Sequence, residues 1–92
     1  MNQAAIESGL AQAIGRASER VTSVKLFDRM MWEVRTKQGL YVLGLVDGIA
    51  WAWDWKNDAL DGGEWREDLA LANRPQTIAR CFAAWLESVE GN

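Results

Sequence analysis

Residues 40–55 read LYVLGLVDGIAWAWDW, two runs of β-type residues on either side of Asp47-Gly48. Asp-Gly between two such runs is a strong hairpin signal, because a type I′ turn requires positive φ at both central residues. A two-residue turn places Gly44 opposite Trp51, where the missing side chain leaves space for the indole. Directly opposed residues share a face of the sheet. One face of the hairpin, which we call the tryptophan face, therefore carries Trp51, Trp53 and Trp55.

The segments around this hairpin complete an α+β fold. Residues 3–18 carry apolar side chains at spacings of three and four, which predicts an amphipathic helix, and residues 75–89 show the same pattern. Residues 22–27 and 30–36 read as strands. Residues 56–68 have the turn-forming composition of a surface loop. The predicted architecture is αββββα, an antiparallel four-stranded meander sheet with an N-terminal and a C-terminal helix.

The hairpin before this one can adopt two registers, which place opposite sets of side chains on the tryptophan face. A three-residue loop at residues 37–39 puts Trp32 and Val34 there. A two-residue turn at Gln38-Gly39 puts Glu33 and Arg35 there instead, because one residue of slip exchanges the two faces of a strand. We favour the three-residue loop, since it gathers the large apolar side chains on one face.

The favoured register predicts that the tryptophans pack beneath the two helices, with Phe82 and Trp85 of the last helix near Trp51 and Trp53. Burying three indoles removes roughly 600 Å² from water, worth about 10–15 kcal/mol before the entropy cost. In that case the reverse face becomes a candidate interface, with an apolar patch inside a charged rim. The alternative is that the tryptophans form an exposed platform for a protein or for unstacked bases.

The composition argues for one domain over residues 1–92 and against most catalysis. The chain has no histidine, which excludes a Ser-His-Asp triad, an imidazole base and a His-liganded metal. Cys81 lies on the apolar stripe of the last helix and is predicted to be an inert core residue. No phosphate-binding loop, dinucleotide fingerprint or zinc spacing occurs. We therefore expect a protein that is not an enzyme and needs no cofactor.

The charge and the termini bear on partners and location. A formal net charge of −3 argues against a protein that coats nucleic acid, since such proteins present a basic face. This charge is compatible with a partner that is itself basic. The N-terminus lacks the basic start and apolar run of a signal peptide, and no segment approaches the roughly 20 apolar residues that cross a bilayer. We expect a cytoplasmic protein.

Charged residues supply the candidate contacts to a partner. Arginine is preferred where planar, bidentate contacts to carboxylate or phosphate are made. Acidic residues crowd the segment 56–68, which fits an EF-hand poorly because Ala59 falls where a calcium ligand is needed. This segment is either a solvated loop or an acidic contact strip. The candidate partner-binding residues are Arg29, Glu33, Arg35, Lys37, Asp58, Asp61, Glu64, Asp68 and Arg74.

The chain resembles the small phage-encoded anti-CRISPR proteins, the type I-F inhibitors above all. The resemblance lies in the size, the acidity and the layout of the whole chain. It is carried by a tight meander, MMWEVRTKQGLYVLGLVDGIAWAWDW at residues 30–55, and a closing helix, RPQTIARCFAAWLESVEG at residues 74–91. The resemblance involves no shared motif, so it assigns no residue a role.

This resemblance implies a non-catalytic inhibitor in the cytoplasm of a bacterial host. It would bind the type I-F CRISPR-RNA-guided surveillance complex and sterically block hybridisation of target DNA. Such inhibitors commonly contact the backbone subunits, and some also touch the guide RNA. The alternative is another bacterial or phage protein-binding module, such as an antitoxin or an anti-restriction protein. We expect a monomer or a weak homodimer that does not associate with a membrane.

Overall fold

The computed structural model describes residues 3–46, 49–55, 65–68 and 75–91. Its elements are α1 (Gln3–Ala17), β1 (Val21–Asp28), β2 (Met31–Thr36), β3 (Leu40–Val46), β4 (Ile49–Asp54), β5 (Trp65–Asp68) and α2 (Pro75–Glu90). The predicted α+β architecture of a helix, a four-stranded antiparallel meander and a second helix is confirmed. Among the described residues, no helix is long and apolar enough to span a bilayer.

The short strand β5 extends the sheet beyond the four predicted strands. The five strands lie in chain order, each antiparallel to its neighbour, and β5 pairs with β4. The loop predicted over residues 56–68 is therefore wrong for its last four residues, and residues 56–64 lie outside the described residues. Four residues are too few to show a periodic pattern, so pairing with the open edge of β4 decides their conformation.

The register of β3 against β4 is as predicted. Val46 pairs with Ile49 and Gly44 pairs with Trp51, which leaves a two-residue connection. The backbone N–H of Trp55 donates to the carbonyl of Leu40 at 3.0 Å, so the pairing continues to the end of the hairpin. The three tryptophans therefore share a face.

The register of β2 against β3 contradicts the favoured three-residue loop. Arg35 pairs with Leu40, and the N–H of Thr36 donates to the carbonyl of Gly39 at 3.0 Å, which leaves a two-residue turn at residues 37–38. The Thr36 hydroxyl accepts hydrogen bonds from the backbone N–H groups of residues 38 and 39 at 3.1 and 3.0 Å, which stabilises this tighter turn. Arg35 consequently lies on the tryptophan face.

Gly39 is needed for a reason other than the expected bulge. A Cβ at Gly39 would lie 2.7 Å from the Tyr41 hydroxyl oxygen, so glycine permits a close approach of backbone and phenol. The sequence suggested either a loop at residues 37–39 or a turn at residues 38–39. The observed turn, at residues 37–38, lies one residue earlier than the second of these and places the same side chains on the tryptophan face.

The hydrophobic core lies between the two helices and the opposite face of the sheet. Trp32 is fully buried there, and β4 contributes only small side chains, Ala50 and Ala52. The prediction that Trp51, Trp53 and Trp55 pack beneath the helices is therefore wrong. Within the described part of the chain, the buried hydrophobic residues are Leu10, Ile14, Trp32, Val34, Tyr41, Val42, Leu43, Leu45, Ala50, Ala52, Ile78, Ala79, Phe82 and Leu86; of these, only Val42 faces the other side of the sheet.

The closing helix α2 packs on the sheet as expected, but on the other face from the three tryptophans. Phe82 is fully buried, and the ring of Trp85 lies edge-on to Tyr41 with centroids 5.6 Å apart. The expected proximity to Trp51 and Trp53 is wrong for the same reason as the burial prediction. Cys81 is only partly buried.

A buried carboxylate joins the end of α2 to the sheet. The side chain of Glu90 is 2% exposed and accepts hydrogen bonds from the hydroxyls of Tyr41 at 2.6 Å and Thr36 at 2.5 Å. Arg20 lies 3.5 Å from Glu90 and also binds Glu87 at 2.7 and 2.9 Å. Burial, followed by the Glu90 carboxylate, raises the pKa of Tyr41 above its usual range. This network clamps α2 over the core, away from the tryptophan face.

The helix α1 is attached to the opposite end of the sheet. The turn between β1 and β2 consists of Arg29 and Met30, and Met30 has a φ of 52°. The N–H of Met30 donates to a carboxylate oxygen of Glu7 at 2.7 Å, and the indole N–H of Trp32 donates to the Glu7 carbonyl at 3.2 Å. These bonds hold a left-handed residue in place and anchor the buried tryptophan.

Candidate functional site

The tryptophan face is the outer side of the sheet, away from both helices. Alternate residues of β1 to β4 form it, because successive side chains of a strand point to opposite faces. Its described members include Lys25, Phe27, Met31, Glu33, Arg35, Leu40, Val42, Gly44, Trp51, Trp53 and Trp55. Among the described residues, no helix or strand packs over this face.

The three indoles form a continuous ladder along β4. The ring centroids of Trp51 and Trp53 are 5.9 Å apart with an interplanar angle of 52°, and those of Trp53 and Trp55 are 5.8 Å apart at 47°. Trp51 and Trp53 are partly buried, whereas Trp55 is 58% exposed. Tilted aromatic pairs at these distances stabilise one another. The ladder is therefore an ordered aromatic surface.

Gly44 fixes the inner end of the ladder. A Cβ on Gly44 would lie 2.5 Å from Cζ2 of Trp51, so the indole lies directly over the glycine backbone. The space that the sequence predicted at this position is confirmed. The absence of a side chain lets Trp51 lie flat on the sheet, which supports the stacking of its neighbours.

A shallow pocket of about 220 Å³ opens on the same face. Its lining combines two exposed aromatic rings, two aliphatic side chains and one carboxylate: Phe27, Trp55, Leu40, Val42 and Glu33. Phe27 is 48% exposed and Trp55 is 58% exposed. Pockets for whole small molecules commonly have volumes of about 300–1,000 Å³. The pocket is therefore better suited to a single side chain of a partner.

Phe27 was not expected at this site. A register shift between Leu26 and Asp28 interrupts the pairing of β1 with β2, and Phe27 is the residue between them. Phe27 follows Lys25 by two residues, so the alternation of the strand places both on the same face. The adjacent apolar pair Leu26-Phe27 was the available signal, because strict alternation leaves one member of such a pair exposed.

The charges of the tryptophan face are mixed. The Nε–H of Arg35 donates to Oε1 of Glu33 at 2.7 Å, and Lys25 is the residue opposite Glu33 in the register of β1 with β2. The side chain of Arg35 is 59% exposed and that of Glu33 is 25% exposed. The described face thus carries charges of both signs. It does not form the basic stripe that tracks a nucleic-acid backbone.

The structure brings together only two of the predicted contact residues, Glu33 and Arg35. Arg29 and Lys37 are exposed in the two turns at opposite ends of β2, so they do not join a common cluster. Asp68 is the last residue of β5. Four predicted contact residues lie outside the described residues: Asp58, Asp61, Glu64 and Arg74.

The described residues contain no group of three or more His, Cys, Asp or Glu side chains that could hold a metal ion. No family model, curated protein or solved structure matches the chain. The fold and the site define a small α+β domain with an ordered aromatic sheet face.

Proposed function

We propose that this protein is a non-catalytic binding module that docks on a protein partner through the tryptophan face. The observation that carries the proposal is the position of the indole ladder, which lies outside a core that is complete without it. Trp55 and Phe27 remain 58% and 48% exposed. Large exposed aromatic side chains are costly in water and are enriched at the centres of binding surfaces. Burial against a partner recovers that cost.

The charge pattern favours a protein over single-stranded nucleic acid as the partner. Single-strand binding combines stacked aromatics with a basic groove along the backbone. Here Glu33 lies between Lys25 and Arg35, and the whole chain has a net charge of −3. A surface with both signs and a central aromatic strip is typical of a protein interface.

The partner we propose first is the type I-F CRISPR-RNA-guided surveillance complex. This step rests on the resemblance of the chain to small phage-encoded inhibitors in size, acidity and layout. Inhibition is then steric: the bound protein occupies surface that target DNA needs. A toxin or a restriction subunit is the alternative protein partner, and it would meet the same face.

A titration of the guide-loaded complex tests both steps. We expect the parent protein to block binding of labelled target duplex at about one to a few copies per complex, reversibly and without dependence on added metal. The double variant Trp53→Thr/Trp55→Thr should lose inhibition, since threonine suits a strand but removes the aromatic contact. Leu26→Thr is the matched control, because Leu26 is 43% exposed on the helix-covered face of the sheet.

The two possible failures are separate. A folded parent protein that leaves target binding unchanged at large excess contradicts the choice of partner. Inhibition that survives in the double tryptophan variant contradicts the choice of surface. Complete inhibition at far less than one copy per complex indicates turnover and contradicts a non-catalytic mode of action.

A further inference from the structure

We propose that the pocket on the tryptophan face receives an arginine side chain of the partner protein. The inference rests on the proposed function only in taking this face as the docking surface. It adds the chemistry of the group that the face recognises. Three features of the pocket support an arginine: its lining, the second carboxylate oxygen of Glu33 and its volume.

The lining is suited to a cation with an apolar stem. The exposed rings of Phe27 and Trp55 and the side chains of Leu40 and Val42 offer apolar surface to an aliphatic chain. The faces of aromatic rings attract cations electrostatically, tryptophan most strongly. A guanidinium is planar and weakly hydrated, so it stacks on an indole more readily than an ammonium does. The volume of about 220 Å³ admits one such side chain.

The carboxylate of Glu33 decides the charge of the occupant. An aliphatic side chain in the pocket would bury the second oxygen of this carboxylate without a hydrogen-bond donor, and an acidic one would add a like charge beside it; both are unfavourable. Oε1 of Glu33 accepts a bond from Arg35, whereas Oε2 has no partner among the described residues. A guanidinium donor from the partner can bind that free oxygen.

Arg35 acts as an internal competitor for the same carboxylate. Its guanidinium is 59% exposed, and ion pairs of such exposure contribute little to stability. The partner's arginine can therefore share Glu33 with Arg35 or displace it at small cost. Lys25, which lies opposite Glu33 in the strand register, adds positive charge on the same face. Removing Arg35 should strengthen binding of an incoming cation, and removing the charge of Glu33 should weaken it.

The test uses the isolated protein and two small probes. N-acetyl-arginine amide and its neutral isostere N-acetyl-citrulline amide are titrated at matched ionic strength. The indole N–H signal of Trp55, assigned with Trp55→Phe, is followed by ¹H–¹⁵N NMR. We expect a saturable shift with the arginine probe and little shift with the citrulline probe. Glu33→Gln should weaken arginine binding roughly tenfold, and Arg35→Gln should strengthen it severalfold.

The opposite expected effects of these two substitutions on arginine binding distinguish recognition by Glu33 from a structural role of the Glu33–Arg35 ion pair. Equal responses to the two probes overturn the proposal, and so do changes of the same sign in Glu33→Gln and Arg35→Gln. The absence of any arginine shift overturns it as well. None of these outcomes depends on the partner. The proposed function fails separately, when the double tryptophan variant still inhibits the complex.

Discussion

The contrast between a buried and an exposed tryptophan gives the sharpest prediction about the fold. Trp32 is fully buried on the helix-covered face, whereas Trp55 is 58% exposed on the tryptophan face. Replacing each in turn by alanine measures which face forms the core. The register favoured from the sequence predicts that the two substitutions are both costly, because it places both indoles on one buried face.

The structure predicts very different costs. A buried indole removes about 200 Å² from water, so Trp32→Ala should cost about 4–5 kcal/mol, and the hydrogen bond to Glu7 is lost as well. Less than half of the Trp55 surface is buried, so Trp55→Ala should cost about 1–2 kcal/mol. A domain of this size has a total stability of about 5–14 kcal/mol. Trp32→Ala therefore removes a large share of it.

Urea unfolding followed by circular dichroism measures the difference. With a slope of about 1.5 kcal/mol per molar urea, the midpoint should fall by about 3 M for Trp32→Ala and by about 1 M for Trp55→Ala. If Trp32→Ala does not fold, Trp32→Phe should still cost about 1–3 kcal/mol through lost volume and the lost hydrogen bond. Equal costs for the two alanine variants would show that the assignment of the faces is wrong.

Three further predictions follow from the same geometry. Gly44→Ala should cost about 1–3 kcal/mol in urea unfolding and alter the near-UV signal, because the new methyl group displaces the Trp51 indole; an unchanged spectrum contradicts this packing. Glu90→Ala should cost about 2–4 kcal/mol, since it leaves the Tyr41 hydroxyl without its acceptor, and a cost below that of an ordinary surface change contradicts the clamp. The raised pKa of Tyr41 means that its contribution to stability is present below pH ~10 and is lost as the pH rises above that value. Tyr41→Phe should abolish the part of the stability loss at alkaline pH that ionisation of Tyr41 causes. Identical plots of unfolding free energy against pH, from pH 8 to 11, for the parent protein and the variant would contradict this.

The hairpin of β3 and β4 could be predicted fully from local sequence. Asp47-Gly48 restricts the turn to a two-residue type, and the turn then sets every pair from Val46–Ile49 outward. Gly44 opposite Trp51 follows from the same register. The layout αββββα could also be predicted from the sequence, because the helices and strands have long apolar patterns of different period.

The burial of the faces could not be predicted, because it depended on one residue of register. Both faces of the β3–β4 hairpin are apolar, so the hydrophobic pattern did not select the core side. The turn before β3 selected it, through the Thr36 hydroxyl and the close approach of Gly39 to Tyr41. These are contacts between side chain and backbone that a binary pattern does not contain. Gathering the largest apolar side chains on one face was the wrong criterion.

The candidate site could be predicted from the sequence in part. The sequence identified Glu33 and Arg35 and left the exposed platform open as an alternative. It did not show Phe27, whose position depends on the register of β1 against β2, or the buried carboxylate of Glu90, which depends on contacts with residues about 50 positions away. Long-range pairing of this kind follows from the assembled fold and has no local signature.

The most direct test of the binding surface is hydroxyl-radical footprinting of the protein, free and bound to the guide-loaded surveillance complex. Trp55 and Leu26 are exposed to similar extents, 58% and 43%, on opposite faces of the sheet, so each serves as a reference for the other. We predict that oxidation of Trp53 and Trp55 falls severalfold on binding while that of Leu26 is unchanged. Protection of Leu26 with unchanged oxidation of the two tryptophans would contradict the assignment of the tryptophan face as the docking surface.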